Sequence, residues 1–416
     1  MTVKVGSMKR LTLCALAVAT GLTGLISAQP ARFDDVVRNL RHPEPDVRLA
    51  AIRLLREAKY PEAIVPLAPL VNDPVDQIQL EAIAAELSFF LVEDVPSRRR
   101  LGFLVEVRNR GGAPTAFDLG PLAVLPRPAP PELVSALLTA VDDENARVRL
   151  ESIYAAGTIA RAPLGDDAEQ RLIKALDHYD PAVREGAARV CGRLGVKAAG
   201  DTLIKAINDS SAGVRYAAMR ALGMLGDERA VAALTEQLKF YGKGEGAWAA
   251  LDGLARIAHP SSVSVFTERL TDKDPYIRRA AAEGLGRAGA TSAMPQLEVG
   301  AGNDTSDTAR AAMTFATQKL GRHNVVRLVE FLNDRDTALQ VQEYLLELGP
   351  SIEKELLPSL QEPDEAIGAG VADVLGVIGT DLSLPELQRL TAGDGDKDVV
   401  ESATRAIDRI KARRGL

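Results

Sequence analysis

Cysteine and aromatic residues are scarce in this chain of 416 residues. It contains 2 cysteines and 1 tryptophan, and aromatic residues make up only 4% of the sequence. Such a composition does not favour a β-rich core, and it leaves stability to packing rather than to disulfides. Alanine and leucine are abundant and 26% of the residues are charged. This is typical of closely stacked helices and not of a disordered chain.

A unit of about thirty residues recurs down the chain, and its clearest copies are residues 183–192, 214–223 and 277–286. Each copy opens with Val or Ile, which we call position zero, followed by Arg, and closes with Gly. A fixed period in this range indicates a solenoid, in which each unit buries its apolar face against its neighbours. Position zero falls at Val47, Ile78, Val148, Val183, Val214, Gly246, Ile277, Ala309, Thr337, Ile367 and Val399.

Each unit has the pattern of a helix, a tight turn and a second helix. The apolar positions 0, +3 or +4, +7, +8 and +11 share one side of a helix, and a shorter amphipathic stretch precedes them. Glycines after the second helix, such as Gly195, Gly226, Gly289, Gly349 and Gly379, predict helix ends. Aspartates in the turns are expected to cap the second helix: Asp46, Asp73, Asp143, Asp180, Asp209, Asp274, Asp307, Asp336, Asp364 and Asp398.

An arginine follows position zero in many units. We expect each arginine to pair with a turn aspartate of its own or the adjacent unit, since such pairs can be bidentate and fix the geometry between repeats. The arginines at this +1 position are Arg48, Arg149, Arg184, Arg215, Arg278 and Arg310.

The pattern Asp-Pro-x-Val-Arg-x-x-Ala-x-x-Ala-Leu-Gly-x-Leu-Gly resembles the short HEAT repeat of the phycobiliprotein-lyase type. The resemblance covers roughly residues 33–90 and 131–413. It implies an all-α, right-handed α-solenoid of the armadillo/HEAT type with about ten helix pairs. It does not imply one function, because such repeats serve lyases, scaffolds, adaptors and enzyme regulators.

The N-terminus has the features of an export signal. Met8-Lys9-Arg10 is a basic start, residues 11–26 are apolar, and Ile26-Ser27-Ala28 fits a cleavage site before Gln29. We therefore predict a signal peptide over residues 1–28 and an exported, periplasmic or secreted, bacterial protein. The apolar run is short for a spanning helix, so cleavage is favoured over a retained anchor and the mature chain is expected to have no membrane span.

Cleavage there would make the chain more acidic. Residues 1–28 contain three basic residues and no acidic ones, so the net charge changes from −7 to −10. An acidic protein is a poor general binder of phosphate backbones, and no nucleic-acid partner is expected. Cys191 would be the sole cysteine left, so no internal disulfide could form. It occupies a position that other units fill with leucine, which predicts a buried side chain.

The repeats divide the mature chain into three segments. Residues 29–91 are N-terminal HEAT-like repeats, and residues 131–416 are a continuous solenoid with a C-terminal cap. Between them, residues 92–130 are either an irregular insertion, with a short hairpin around Gly111-Gly112, or a degenerate repeat. A long irregular excursion from a rigid scaffold often carries function, so this segment is also a candidate site.

Motifs for catalysis or metal binding are weak. Gly284-Leu-Gly286-Arg-Ala-Gly289 matches the dinucleotide fingerprint, but it closes a helix instead of opening one after a strand. Asp394-Gly-Asp396-Lys-Asp398 lacks the glycine and the bidentate acid of a calcium loop. None of the four histidines lies at metal-ligand spacing from a cysteine or carboxylate. We predict no catalytic, cofactor-binding or metal-binding residues, and no enzymatic activity.

The second helices are expected to line the concave surface of the solenoid, with positions +2, +5 and +6 opposite the apolar face. The residues there are of the types that interfaces favour: Tyr154, Tyr216, Met219, Arg220, Trp248, Arg279 and Phe315. They either contact a partner or fill gaps between adjacent repeats. Position +6 also changes from Arg189 and Arg220 to Asp252, Glu283, Glu343 and Asp373, which predicts a charge gradient. Basic residues at +10 (Arg193, Arg256, Arg287, Lys319) recur with the repeat and are not counted as a site.

These observations favour a non-enzymatic scaffold or adaptor in the bacterial cell envelope, which binds another protein along its concave face. Two alternatives stay open. One is a small-ligand or glycan binder that stacks its ligand on Tyr216 and Trp248. The other, implied by the resemblance, is a bilin-lyase-like chaperone or transferase.

Overall fold

The structure is a computed structural model that describes residues 32–92, 113–392 and 395–414. The predicted signal peptide and the hairpin expected at Gly111-Gly112 lie outside the described residues. Within them the chain forms eleven helix pairs and one unpaired helix. In chain order these are α1 (Phe33–Asn39) with α2 (Pro45–Ala58), α3 (Ile64–Leu67) with α4 (Asp76–Phe90), the unpaired α5 (Ala113–Leu119), α6 (Pro131–Thr139) with α7 (Ala146–Ile159), α8 (Asp166–Ala175) with α9 (Pro181–Leu194), α10 (Gly200–Ala206) with α11 (Ala212–Leu225), α12 (Val231–Tyr241) with α13 (Gly244–Ile257), α14 (Val263–Arg269) with α15 (Pro275–Arg287), α16 (Met294–Asn303) with α17 (Asp307–Lys319), α18 (Val325–Val329) with α19 (Ala338–Leu348), α20 (Glu353–Leu356) with α21 (Glu365–Ile378), and α22 (Leu384–Thr391) with α23 (Lys397–Arg413).

Short 3₁₀ turns flank many of the first helices and tighten the connections between pairs. They are Pro61–Ala63, Ala68–Asn72, Gly120–Ala123, Ala140–Asp142, Lys197–Ala199, Glu228–Ala230, Pro260–Ser262, Thr291–Ala293, Glu330–Asn333, Gly349–Ile352 and Leu357–Gln361. The all-α solenoid of about ten helix pairs is thus confirmed.

The helix boundaries follow the residues that predicted them. Asp180, Asp274 and Asp364 cap their helices, each accepting a hydrogen bond from the backbone N–H two residues on at 2.9, 2.9 and 3.0 Å. Asp209 lies three residues before α11 and instead closes the turn, accepting from the N–H of Ser211 at 2.8 Å. Gly195 ends α9 in the left-handed conformation, with φ 68°, as expected of a helix-terminating glycine.

Adjacent second helices pack very closely, because small residues meet where they cross. A methyl group added to Gly223 of α11 would lie 2.7 Å from the Cα atom of Gly253 in α13. Gly192 and Gly286 are in similar contact with the backbone of the following second helix. The alanine and glycine content of the repeats therefore sets the spacing of the stack.

One continuous apolar core runs along the stack. Cys191 is fully buried in it, and burial raises the pKa of its thiol to about 12, which confirms the expected apolar role. Among the residues that the structure describes, no helix combines the length and apolar character needed to cross a bilayer.

The second helices line the inner side of the curved stack. Arg287 of α15 contacts Glu347 of α19 at 2.9 Å, although these helices are two pairs apart, and Arg256 of α13 lies 3.6 Å from Glu343. Non-adjacent pairs approach one another only on the concave side of a curve. These contacts place the second helices concerned on the inner side of the stack.

The described part of the 92–130 segment lies on this concave side. Helix α5 packs on α7, and the ring of Phe117 lies between Gly157 and Val190. Val124 forms an isolated antiparallel bridge with Leu91, and Arg409 of the last second helix donates a hydrogen bond to the carbonyl of Leu122. Residues 113–124 thus connect the third and fourth helix pairs to the last pair across the inside of the solenoid.

Candidate functional site

The arginines at position +1 connect adjacent helix pairs. Arg184 donates through Nε and Nη2 to both carboxylate oxygens of Asp209 in the next pair, at 2.9 and 2.8 Å. Its Nη1 donates to the carbonyls of His178 and Tyr179 in its own turn, at 2.8 and 3.2 Å. The same dual contact occurs at Arg48, Arg149 and Arg278. The predicted pairing with a neighbouring aspartate is therefore confirmed at these four positions, and we call this series the arginine ladder.

Other residues replace the arginine–aspartate pair where the repeat departs from its pattern. Gln79 donates to Asp143 at 2.7 Å, and Arg215 donates to the hydroxyl of Tyr241 at 2.8 Å. The indole N–H of Trp248 donates to Asp274 at 2.7 Å, and its ring lies 4.7 Å from that of Tyr276. Trp248 therefore takes the place of a ladder arginine, a role that sequence reasoning missed.

The ladder ends at α17. Arg310 pairs with Asp307, three residues earlier in its own helix, instead of with the next pair. Thr337, at position zero of the next unit, turns its hydroxyl to the carbonyl of Phe331 at 2.7 Å. Among the described residues, no arginine–aspartate link joins α17 to α19, where Gln340 instead donates to the carbonyl of Thr308 at 2.9 Å.

A buried polar network replaces the ladder at α19. Glu283 of α15 is only 6% exposed, lies 3.0 Å from Arg287 and accepts a hydrogen bond from the hydroxyl of Tyr344 in α19. Arg279 lies 2.7 Å from Asp252 and 3.9 Å from Glu283. Burial would raise the pKa of Glu283, but Arg279 and Arg287 outweigh that effect and lower it, so the carboxylate is ionised.

Two of the seven predicted contact residues are fully buried, so their placement on an accessible surface was wrong. Met219 and Phe315 have 0% exposure. Phe315 is stacked on Tyr344 at 4.3 Å, and the guanidinium of Arg287 lies 5.4 Å from its ring centroid. Close packing of the second helices and the inward position of α19 cover positions that a single helix would leave open. Tyr154 is 8% exposed and lies 5.3 Å from the ring of Phe117.

The charge gradient predicted along position +6 is neutralised by ion pairs. Arg189 lies 3.1 Å from Asp118, and Asp252 accepts from Arg279 at 2.7 Å and from Arg220 at 3.4 Å. Further along, Asp373 pairs with Arg405 at 3.2 Å. The charged residues at position +6 that are named here therefore each have an ion-pair partner within the chain.

A cavity of about 540 Å³ lies on the concave side, and we call it the concave cavity. It is bounded by second helices α9, α11, α13, α15 and α19 and by the segment that includes α5. Of the predicted contact residues, Tyr216 and Arg220 line it. The lining residues are Phe117, Asp118, Gly120, Pro121, Glu185, Arg189, Arg193, Gly213, Tyr216, Ala217, Arg220, Ala221, Met224, Glu245, Arg256, Arg287, Glu343, Leu346 and Glu347.

The concave cavity contains charged side chains whose ionic pairing is incomplete. Arg193 donates to the carbonyl of Phe117 and lies 4.6 Å from that ring's centroid, but within the described part of the chain it forms no ion pair. Burial, together with the nearby Arg161, lowers the pKa of Arg193 to about 10, so it remains a cation at neutral pH. Glu185 and Glu245 also line the cavity, and the described residues contain no ion-pair partner for either.

Arg193 and Arg256 are functional candidates that sequence reasoning set aside. Both occupy position +10, and the sequence signal that could have identified them is this basic set. It recurs with the repeat, but only some members find a carboxylate in the folded chain. Met224, which occupies +10 in α11, is 47% exposed between them.

The described residues include no group of three or more His, Cys, Asp or Glu side chains placed to hold a metal ion. The lining of the concave cavity combines the exposed thioether of Met224, the ring of Tyr216 and charged side chains of both signs.

Comparison with known proteins is consistent with the repeat architecture. Residues 168–239 and 243–317 match the family model for HEAT repeats, and no curated protein matches the chain. Among solved structures, the complex of CpcE and CpcF of phycocyanin lyase from Nostoc sp. PCC7120 is 21% identical, covers 58% of this chain and 94% of its own, and has a TM-score of 0.40.

Two other solved structures show the same weak similarity. An engineered protein is 19% identical over 91% of this chain and 98% of its own, with a TM-score of 0.39. Kap121p is 14% identical over 90% of this chain and 44% of its own, also with a TM-score of 0.39. None of these similarities bears on function. The described residues form an α-solenoid, and within it residues 168–239 and 243–317 match HEAT repeats.

Proposed function

We propose that this protein is a non-enzymatic scaffold or adaptor that binds a segment of another protein in the concave cavity. HEAT-like solenoids are typical protein-binding scaffolds, because their stacked repeats create extended concave surfaces. The observation that supports this most is that Arg193 lines the concave cavity without a carboxylate partner among the described residues, beside the tyrosine ring of Tyr216 and the exposed Met224.

The chemistry of the lining supports a protein partner. Tyrosine, methionine and arginine are enriched at the energetically important centres of interfaces. Tyr216 and Met224 supply apolar contact area on α11, and Arg220 and Arg256 add donors from α11 and α13. These side chains stand on helices, which hold them in place before binding and lower the entropy cost of association.

The cell envelope of a bacterium is the proposed setting. The basic start, apolar run and small-residue cleavage site of residues 1–28 support export. N-terminal sequencing of the protein recovered from a periplasmic fraction tests this directly. A mature chain that begins at Gln29 is expected, whereas an intact N-terminus in the cytoplasmic fraction would refute export.

A small-molecule ligand is the second candidate, because a cavity of about 540 Å³ is within the range of ligand pockets, about 300–1,000 Å³. A glycan ligand was expected to stack on both Tyr216 and Trp248, and only Tyr216 lines the cavity. The indole N–H of Trp248 is bound to Asp274 and Trp248 is not part of the lining, so Tyr216 would have to act alone.

Photo-crosslinking in cells tests the proposed function. A photoreactive amino acid replaces Met224 in the cavity and, as a matched control, Phe240, which is 79% exposed on first helix α12. We expect a discrete protein adduct from position 224 that is absent from position 240 and is lost when Tyr216→Ala is added. Identical adducts from both positions, or none from position 224, would contradict the proposal. A crosslinked small molecule would favour the second candidate.

A further inference from the structure

A row of side chains at position +10 runs along the concave surface. Arg193 of α9, Arg256 of α13, Arg287 of α15 and Lys319 of α17 are its basic members, and Met224 of α11 interrupts it. The first three arginines line the concave cavity. Four of the five second helices from α9 to α17 therefore present a cationic group at position +10.

The chain's own acidic side chains cover one end of this row. Glu347 of α19 lies 2.9 Å from Arg287 and 3.6 Å from Lys319, and Glu343 lies 3.6 Å from Arg256. An acidic helix face thus already fits against the basic row within this protein.

The other end is met by the segment that includes α5. Asp118 lies 3.1 Å from Arg189, and the neighbouring ring of Phe117 lies 5.8 Å from Arg189 and 4.6 Å from Arg193. An aromatic residue followed by a carboxylate is therefore held here by arginines, through ion pairing and cation–π contact.

Two arginines of the concave cavity have incomplete pairing with carboxylates. Arg193 has no carboxylate partner among residues that the structure describes. Arg220, at position +6, shares Asp252 with Arg279, which lies closer to that carboxylate, at 2.7 Å against 3.4 Å. Beside these guanidinium groups are Tyr216 and the exposed Met224. A ligand that pairs with Arg193 and Arg220 must bring carboxylates, and Tyr216 and Met224 offer contact to an apolar side chain.

We infer that the concave cavity recognises an acidic segment of the partner protein, with carboxylates against Arg193 and Arg220 and an apolar side chain against Tyr216 and Met224. This inference rests on the proposed function and specifies its partner chemistry. The carboxylates of Glu185 and Glu245 lie near the N-terminal ends of α9 and α13. Glu185 precedes Arg193 by a helix rise of about 12 Å, so an acidic group is favoured at one edge of the cavity and disfavoured at the other.

Fluorescence anisotropy with defined peptides tests the inference on the whole chain. The probe is a short labelled peptide of alternating glutamate and leucine, and the comparison peptides alternate lysine or serine with leucine. We expect the acidic peptide to bind, with an affinity that falls as salt is raised, and the other two to bind at least about tenfold more weakly. Equal binding of the serine peptide would overturn the assignment of acidic chemistry.

A charge-matched pair of variants locates the binding. Arg193→Gln/Arg220→Gln is expected to weaken binding of the acidic peptide at least about tenfold. Arg171→Gln/Arg229→Gln removes the same charge from exposed pairs outside the cavity and should leave binding within about twofold. Equal losses in both variants would show general electrostatic attraction and overturn the inference. Unchanged Trp248 fluorescence and circular dichroism would confirm that both variants are folded.

Crosslinking from position 224 in the Arg193→Gln/Arg220→Gln background separates the two proposals. Loss of the adduct supports both. An adduct that persists overturns the acidic chemistry but leaves the cavity as the binding site, whereas no adduct in the wild-type background overturns both.

Discussion

Successive helix pairs from α7 to α17 are joined by a repeated polar contact, whereas α19 is held in a different way. In the first region Arg184 and its equivalents connect each turn to the next, and glycines bring the second helices together. In the second, the ladder is missing, and Tyr344 and Glu347 reach two pairs back to Glu283 and Arg287. The step in position zero shortens to 28 residues between Ala309 and Thr337. Where the repeat step is shorter, the polar contacts of α19 thus run to α15, two pairs back, and the arginine–aspartate contact with the adjacent pair is replaced.

The largest effect is expected where α19 is attached. Glu283→Ala removes the buried carboxylate between Arg279 and Arg287 and should lower the free energy of unfolding by about 3 kcal/mol or more, because buried cations lose a partner. Glu343→Ala removes an acid that is 66% exposed and 3.6 Å from Arg256, so it should cost less than about 1 kcal/mol. Urea denaturation followed by circular dichroism measures both. Similar losses would show that α19 is not held mainly by the buried network.

Within the ladder, Arg184→Ala should destabilise by about 2 kcal/mol, because Asp209 loses its cationic partner and two turn carbonyls lose the Arg184 donor. Arg310→Ala is the matched control, since its partner Asp307 belongs to the same helix and the pair is partly exposed. Its loss should stay below about 1 kcal/mol. Hydrogen exchange resolved by residue would show whether the weakened protection is centred on the α9–α11 contact. Equal effects of the two variants would mean that the ladder adds nothing between repeats.

Close packing in the regular region gives the next prediction. Gly223→Ala should destabilise by about 1–2 kcal/mol, because the added methyl group meets the backbone of Gly253 at 2.7 Å. Gly302→Ala, in α16, introduces the same group into open space and should be neutral or stabilise by up to about 1 kcal/mol. Thermal unfolding of the two variants makes the comparison. A tolerated methyl group at position 223 would show that the helices separate easily.

The smallest effect expected is a pH dependence of the ladder. The hydrogen bonds from Arg184 lower the pKa of Asp209, so its ionised form is favoured in the folded state. The ionised carboxylate of Asp209 stabilises the folded state fully above the ordinary aspartate pKa of about 3.9. This stabilisation is lost as the pH falls through the lowered pKa that Asp209 has in the folded state. The stability difference between wild type and Asp209→Asn should therefore be constant from about pH 5 to 8 and shrink below about pH 4.

The Arg184→Ala background provides the control for that prediction. Without the arginine, Asp209→Asn should have little effect at any pH, as a double-mutant cycle of unfolding free energies would show. A difference that keeps the same pH profile without Arg184 would assign the effect to another partner of Asp209.

The sequence by itself determined the repeating part of the molecule. The period, the turn aspartates such as Asp180 and the glycine at Gly195 specified helix pairs and their ends, because caps and helix stops act within a few residues. The pairing of Arg184 with Asp209 could also be predicted, since a constant period carries each local contact to the next unit. Burial of Cys191 followed from the same periodicity.

Only the tertiary structure decided which inward positions remain accessible. Helical periodicity places Met219, Phe315 and Tyr216 opposite their own apolar face, but it does not give the distance to neighbouring helices. Close crossings and the inward shift of α19 bury Met219 and Phe315, whereas Tyr216 still lines the concave cavity. Contacts between residues 60 or more positions apart decide whether a basic residue at +10 has a carboxylate partner. Arg287 has one in Glu347, whereas Arg193 contacts the carbonyl and ring of Phe117. Those contacts arise from the curvature of the stack, which no single repeat encodes.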